Sequence, residues 1–332
     1  MTRIAAFPKL AVILCLLNGS TRADDTERIK SAVTKGISLL QPCDEIFFNR
    51  TGCIACHQQS ITAMAVEKAI PLGIPVDEKA ARKQRELTGL ALDQVRSRRL
   101  ERVENPFVQP VVTGYYSLAF AAQGYEPDEN TDAIVIDMAG RQTPGGYWIA
   151  FTHRPPMEFS RIKSTAFAIK TIVSYGPPSL EEQFQRRIDK ARLWLLESAP
   201  RGNEEEVFRL LGLAWSKADE EPIKQQLDEL IAMQQEDGGW KQLPHLKSDA
   251  YATSMALYAL HEAGMKPIDP VYIKGVKYLL ETQLEDGSWF VKSRSSPVQT
   301  YFESGFPHET DQWISATATG WACVVLMNAI PE

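Results

Sequence analysis

The fold is decided by the stretch Gln234-Gln235-Glu236-Asp237-Gly238-Gly239-Trp240, which recurs about 50 positions later as Gln283-Leu284-Glu285-Asp286-Gly287-Ser288-Trp289. A weaker copy is Gln142-Thr143-Pro144-Gly145-Gly146-Tyr147-Trp148. Each copy follows one helical pattern and precedes a second pattern that is rich in small residues. Glycine ends a helix readily because it tolerates a positive φ angle. The repeated unit is therefore predicted to be a helix, a glycine-containing turn and a second helix.

Extension of this pattern along the chain gives six helical hairpins. The first helix of each hairpin carries charged residues and is expected to lie outside, whereas the second is rich in Ala, Ser, Thr and Leu and is expected to be buried. The first helices are predicted at 26–40, 79–99, 130–139, 183–197, 221–235 and 270–283. The second helices are predicted at 57–70, 108–123, 160–175, 204–217, 249–263 and 312–328. The prediction is an all-α chain in a closed (α/α)6 toroid, with an open solenoid as the alternative.

The repeated turns resemble the QW motifs of squalene–hopene cyclases and of their terpenoid cyclase and protein prenyltransferase relatives. The stretch Asp311–Thr319 is similar to an inner helix of such proteins. This resemblance implies the α/α toroid, and it implies that the turns are structural, so Trp240 and Trp289 are interpreted as packing residues. It does not supply the chemistry, because the Asp-x-Asp-Asp motif that carries the cyclase proton donor is absent from the sequence.

The first hairpin contains the short motif Cys53-Ile54-Ala55-Cys56-His57. It resembles the attachment motif of c-type cytochromes, which implies thioether bonds from Cys53 and Cys56 to a haem c group and iron ligation by His57. Two other interpretations stay open. The cysteines could form a redox-active disulfide, or the three residues could bind Zn²⁺ together with a fourth ligand.

A second metal ligand is sought among the remaining histidines. Four of the five histidines are expected on one rim of the ring: His57, His153, His245 and His308. Ring closure makes the sixth hairpin a neighbour of the first, so His308 is predicted as the ligand opposite His57, with His153 and Met157 as the next candidates. A five-coordinate haem is also allowed.

Residues 1–23 are expected to form a signal peptide. Arg3 and Lys9 precede the apolar run Leu10–Leu17, and Ala23 provides a small residue before the cleavage site. The run is too short to span a bilayer, so no transmembrane segment is expected in the mature chain. Residues 24–332 are predicted to be a single toroid domain that is exported to the periplasm or another extracytoplasmic compartment.

The composition excludes some classes of function. With 332 residues, 44% hydrophobic and 23% charged, the chain is typical of a globular protein. Its net charge of −6 argues against nucleic acid as a partner, because phosphate binding needs a basic face.

The sequence favours an exported haem-binding toroid that transfers electrons or senses redox state or a ligand. Its partner would be a redox protein or a small apolar ligand. Enzymatic activity stays open. The alternative is a terpenoid-cyclase-like or prenyltransferase-like enzyme, or an isoprenoid-binding protein, whose Cys/His group is a zinc or structural site.

Overall fold

The computed structural model describes residues 10–52, 57–101, 109–151, 153–297 and 300–331. In this part of the chain, outer and inner helices alternate in sequence. The outer helices are α1 (Leu10–Thr51), α3 (Glu78–Leu100), α5 (Glu129–Gly140), α7 (Glu181–Glu197), α9 (Glu220–Ala232) and α11 (Pro270–Thr282). The inner helices are α2 (Gln58–Ala69), α4 (Pro110–Ala122), α6 (Arg161–Tyr175), α8 (Asn203–Trp215), α10 (Ala250–Glu262) and α12 (Gln312–Asn328).

The inner helices form a closed ring. Each of them packs against the next, from α2 through α4, α6, α8 and α10 to α12, and α12 packs against α2. This closure confirms the predicted toroid and excludes the open solenoid.

Burial differs between the two layers as the composition predicts. The inner helix α10 buries every residue from Ala250 to Leu260. The outer helix α7 buries only Phe184, Ile188, Ala191 and Leu195, which are spaced for one helical face. The small and hydroxyl-bearing residues of the inner helices therefore allow contact with neighbours on all sides.

The three repeated turns have the same geometry, and the weaker copy is as regular as the other two. Trp148, Trp240 and Trp289 are almost completely buried. Their indole Nε1 atoms donate to the carbonyl oxygens of Met138, Leu230 and Leu279 at the ends of the preceding outer helices, at 2.6, 2.9 and 2.8 Å. The backbone N–H of each tryptophan donates to a threonine hydroxyl in the following inner helix: Thr165, Thr253 and Thr319. The prediction that these tryptophans serve packing is confirmed.

The glutamine of each turn joins neighbouring hairpins. Gln234 Nε2 donates to the carbonyl oxygen of Val271 in α11, at 2.9 Å. Gln283 Nε2 donates in the same way to Ala32 in α1, at 2.9 Å, and so links the last hairpin to the first. Glycine is required beside these contacts, because a Cβ on Gly238, whose φ is +85°, would lie 2.6 Å from the Lys274 carbonyl oxygen.

One local expectation is corrected. The first helix extends over Leu10–Thr51 instead of 26–40, and in its C-terminal part Leu40 and Cys43 pack against Phe306 and Ala316. The helix predicted at 130–139 is confirmed as α5. The strands in the described residues are the two-residue pairs β1 (Trp240–Lys241) and β2 (Ser248–Asp249), which are antiparallel with Trp240 opposite Asp249.

The alternation of outer and inner helices gives all six inner helices one direction. Their N-terminal ends form one face of the ring, here named the amino rim, and their C-terminal ends form the carboxyl rim. The QW turns lie at the amino rim, because they lead into the inner helices. Within the described helices, no segment is long and apolar enough to cross a membrane.

Candidate functional site

His57 lies at the amino rim, directly before α2, and is buried. Its Nε2 is 3.6 Å from Glu158 Oε1, and its Nδ1 is 3.5 Å from Thr317 Oγ1. The ring also packs against Trp313, with 5.8 Å between centroids. Burial lowers the pKa of His57 to about 4, although the charge of Glu158 acts in the opposite direction. The imidazole is therefore neutral at neutral pH.

Glu158 is held in place by a short turn from the connection between α5 and α6. Arg154 and Glu158 exchange two backbone hydrogen bonds of 2.8 Å. Arg154 Nε donates to Glu158 Oε2 at 2.9 Å, and a second guanidinium nitrogen donates to Oε1. Burial raises the pKa of Glu158, but interactions with His57 and Arg154 outweigh it, so the pKa lies below its usual value. Glu158 is therefore a buried carboxylate with a guanidinium partner.

A second buried ion pair joins α6 and α8. Lys163 Nζ is 2.6 Å from Glu204 Oε1 and 2.9 Å from the Tyr115 hydroxyl. The Tyr251 hydroxyl donates to Glu204 Oε1 at 3.0 Å. The Lys163 ammonium also lies 4.4 Å from the centroid of the Phe208 ring, a cation–π contact. Burial raises the pKa of Glu204 against the effect of Lys163.

These six residues, His57, Tyr115, Glu158, Lys163, Glu204 and Tyr251, are here named the amino-rim cluster. All six are buried, and four of them come from the inner helices α4, α6, α8 and α10. A buried ion pair is costly to desolvate, so every charge in such a cluster needs a partner. Each charged member has one here, and the aromatic rings of Tyr115, Phe167 and Phe208 pack beside Lys163. The cluster therefore places ionisable side chains, shielded from solvent, at this end of the ring.

The predicted metal ligands His57 and His308 have different neighbours in the structure. Cys53 and Cys56 lie outside the described residues. His57 faces Glu158, as described above. His308 Nε2 is 2.8 Å from Ser288 Oγ, and its ring packs against Phe290 and Phe306. Neither a hydrogen bond nor a ring contact joins His308 to His57 in the described part of the chain.

The other candidates differ in burial. His153 and His245 are exposed. Met157 is fully buried, and its carbonyl oxygen accepts a hydrogen bond from the Tyr115 hydroxyl at 3.3 Å. Among the described residues, no group of three His, Cys, Asp or Glu side chains is arranged to hold a metal ion.

Sequence reasoning missed Glu158, Lys163 and Glu204 as members of a buried cluster. Lys163 offered a signal, because a lysine stands out in an inner helix of small and apolar residues. Glu204 offered none, since an acidic first turn is already explained by the helix dipole. Its neighbour Glu206 is less buried, so only the packing of the ring distinguishes Glu204.

The carboxyl rim holds an open cavity of about 320 Å³. Its lining comes from α2, α4, α6, α10 and α12, so it lies on the axis of the ring. Apolar walls are provided by Met64, Leu118 and Val324. Its charged lip includes Lys68 and Lys170. We name it the axial cavity.

The lip of the axial cavity is fixed by contacts to its neighbours. Trp215 at the end of α8 donates from Nε1 to Glu262 Oε2 at 2.8 Å. The Lys170 ammonium lies over the Trp215 ring, 5.2 Å from its centroid. Glu67 forms an ion pair with Arg85 from α3. A cavity of this size, with one apolar wall and a polar, charged lip, is within the volume range of small-molecule sites.

The fold is similar to that of solved terpene cyclases. A variant of the type II terpene cyclase MstE from Scytonema, in complex with its substrate geranylgeranyl dihydroxybenzoate, superimposes with a TM-score of 0.60, at 14% identity over 93% of this chain and 99% of that chain. A protein from Actinoplanes matches with a TM-score of 0.59, at 15% identity over 91% of this chain and the whole of that chain.

A curated relative is the squalene–hopene cyclase of Bradyrhizobium diazoefficiens, which is 34% identical over 113 residues. That match covers 30% of this chain and 16% of the length of the cyclase. No family model matches the sequence. The chain therefore has the α/α toroid fold of the type II terpene cyclases, with sequence similarity to a squalene–hopene cyclase over part of its length.

Proposed function

We propose that this protein is a terpene-cyclase-like toroid that binds an apolar, isoprenoid-type small molecule in the axial cavity. The observation that carries the proposal is the cavity itself: about 320 Å³, on the ring axis, with an apolar wall from Met64, Leu118 and Val324 below a polar lip. Sites for small molecules are commonly concave and have volumes of about 300–1,000 Å³. The similarity to MstE, whose substrate carries a geranylgeranyl group, supports an isoprenoid ligand.

The proposal concerns binding and assigns no cyclisation reaction. The sequence contains no Asp-x-Asp-Asp motif. The buried acids that the structure describes near the ring axis, Glu158 and Glu204, are paired with Arg154 and Lys163 at the other rim. Neither of them lines the axial cavity.

The test measures the affinity of the full chain for geranylgeraniol by titration calorimetry. Ala122 is the exposed last residue of α4 and lines the cavity, so Ala122→Trp fills its mouth. Ala232 is the exposed last residue of the outer helix α9, so Ala232→Trp is the matched control. We expect the native chain and Ala232→Trp to bind equally, and Ala122→Trp to bind at least about tenfold more weakly. Equal binding by all three proteins, or no binding by the native chain, contradicts the proposal.

A second candidate function is electron transfer or redox or ligand sensing by a covalent haem at Cys53, Cys56 and His57. It is favoured by His57, which is buried and neutral directly after the Cys-x-x-Cys pair, since the neutral imidazole is the form that binds metal. One feature does not fit: the Nε2 that would bind iron faces Glu158 at 3.6 Å. This contact has to open before iron can occupy the position. The bound group would supply the redox chemistry.

The haem candidate is tested by export of the chain together with haem-maturation enzymes. If haem c is bound, the absorption spectrum of the reduced protein would show a sharp α band. The haem would stay with the protein in acid–acetone extraction, and Cys53→Ala would lose this covalent haem. A colourless exported protein that contains one zinc per chain would support the Zn²⁺ alternative and overturn the haem candidate. Recovery in the periplasmic fraction also tests the expected signal peptide.

A further inference from the structure

The lip of the axial cavity carries two lysines that form no ion pair in the described part of the chain. Lys68 in α2 and Lys170 in α6 both line the cavity. Within the described part of the chain, no carboxylate lies within ion-pair distance of either ammonium. Of the two acids of the lip, Glu67 forms an ion pair with Arg85, and Glu262 accepts a hydrogen bond from the Trp215 indole. Burial lowers the pKa of Lys68, and the negative charge of Glu262 acts in the opposite direction.

Helix dipoles do not account for both lysines. Lys68 lies in the last turn of α2, where a cation is favourable. Lys170 lies more than one turn before the end of α6, and the dipole effect is confined to the last turn. The Lys170 ammonium is instead held over the Trp215 ring, which keeps it at the lip. Its position is therefore fixed without an internal counter-ion.

A neutral hydrogen-bonding group completes the lip. His261 at the end of α10 lines the same cavity, and its buried Nδ1 has no hydrogen-bond partner among the described residues. Burial and the nearby charge of Lys68 lower the pKa of His261, against the opposite effects of Glu262 and the Met265 backbone. The imidazole is therefore neutral and carries one N–H that can donate a hydrogen bond.

We propose that the ligand of the axial cavity carries an anionic end group, a carboxylate or a phosphate, which lies at the lip between Lys68 and Lys170 while its isoprenoid tail lies against the apolar wall. This inference rests on the proposed function and specifies the ligand class of that site. Charge-assisted hydrogen bonds from two ammonium groups suit either kind of anion. Met64, Leu118 and Val324 provide the apolar wall for the tail.

The experiment compares three ligands with the same tail: geranylgeranoic acid, geranylgeranyl monophosphate and geranylgeraniol. We expect at least one of the two anionic ligands to bind about tenfold or more tightly than the alcohol at low salt. The ranking of the two anions identifies the end group. The preference is expected to decrease as salt is added, since half-exposed charges are screened.

The double variant Lys68→Gln, Lys170→Gln is expected to bring the affinity ratio of anion to alcohol close to one. Lys224→Gln, an exposed lysine of the outer helix α9, is the matched control and should retain the native ratio. A preference for the anion that persists in the double variant overturns the inference.

The outcomes also separate this inference from the proposed function. Equal binding of the alcohol and both anions by the native chain contradicts the anionic end group and leaves isoprenoid binding intact. Binding of none of the three contradicts both. Binding of the anions alone supports both, provided that the double variant abolishes it.

Discussion

The two rims of one ring of helices differ in almost every respect. At the amino rim, tryptophans are fully buried and charged side chains are paired inside the protein. At the carboxyl rim, an open cavity lies on the axis and two lysines lack carboxylate partners in the described chain. Paired, buried charge therefore lies at one rim, and the cavity that we propose as the ligand site lies at the other.

The connections between helices explain the difference. At the amino rim, long segments join α5 to α6 (141–160), α9 to α10 (233–249) and α11 to α12 (283–311). Glu158 from the first of these reaches His57, and Arg294 from the last bonds Gln242 from the second, at 2.6 Å. At the carboxyl rim, the connections are short, such as 123–128 and 216–219. Short turns cannot cover the axis, so the cavity stays open.

The largest effect is expected from loss of a QW tryptophan. Trp148→Ala should lower the free energy of unfolding by about 5 kcal/mol, because it leaves a large cavity and an unpaired Met138 carbonyl. Trp240→Ala should lower the free energy of unfolding by the same amount, within about 1 kcal/mol, because the Trp240 indole makes the same hydrogen bond as that of Trp148. Urea unfolding followed by circular dichroism measures both. Ile268→Ala, an exposed apolar residue in the connection between α10 and α11 at the carboxyl rim, is the control and should change little. A mild effect of Trp148→Ala alone would show that the weaker repeat is not equivalent.

The next effect is a pH dependence at the amino rim. Asp44 in α1 is fully buried, and burial raises its pKa to about 7, against an ordinary value of 3.8. The folded state therefore retains a proton that the unfolded state has lost, so stability decreases as pH rises from about 4 to about 7. Across that window the loss due to this one group is on the order of 4 kcal/mol.

Asp44→Asn removes this titration while an amide oxygen can still accept the hydrogen bond from Gln58. The variant should gain stability relative to the native chain as pH rises, which unfolding midpoints at a series of pH values would record. Asp219→Asn, at an exposed position of the carboxyl rim, is the matched control. If the unfolding midpoints of the native chain and of Asp44→Asn change with pH in the same way, the expectation is contradicted.

A smaller loss, about 3 kcal/mol, is expected for Lys163→Met, because it leaves Glu204 buried without its ammonium partner. Proton uptake by Glu204 and its bond from Tyr251 limit the loss. The double variant Lys163→Met, Glu204→Gln should recover much of the stability, and a double-mutant cycle measures the coupling. If the double variant is less stable than Lys163→Met, the ion pair is not the source of the effect.

The smallest effect is expected for Lys170→Gln at the carboxyl rim. This half-exposed lysine has no carboxylate partner in the described chain, so its loss should change the free energy of unfolding by less than about 0.5 kcal/mol. Lys163 and Lys170 lie in the same helix, so the two stability losses compare the two rims directly. A loss as large as that of Lys163→Met would mean that Lys170 serves packing rather than a ligand.

The hairpins could be predicted closely because their signals are local. Glycine turns and helical periodicity placed α10 at 249–263, against the observed Ala250–Glu262. The partners in the amino-rim cluster could not be predicted, because Lys163 and Glu204 belong to different hairpins and no local pattern pairs them. Ring closure correctly makes the sixth hairpin a neighbour of the first, but the connection before α12 places His308 against Ser288. The axial cavity had no sequence signal, because its lining is spread over five helices.

The central claim, an isoprenoid ligand in the axial cavity, is tested most directly by photo-crosslinking. A geranylgeraniol analogue with a diazirine in its tail is irradiated with the full chain, and the modified peptides are identified by mass spectrometry. The account predicts labels on the inner-helix peptides that contain Met64, Leu118 and Val324, and their suppression by unlabelled geranylgeraniol. Labels confined to outer helices, or labels that excess geranylgeraniol does not suppress, would contradict it.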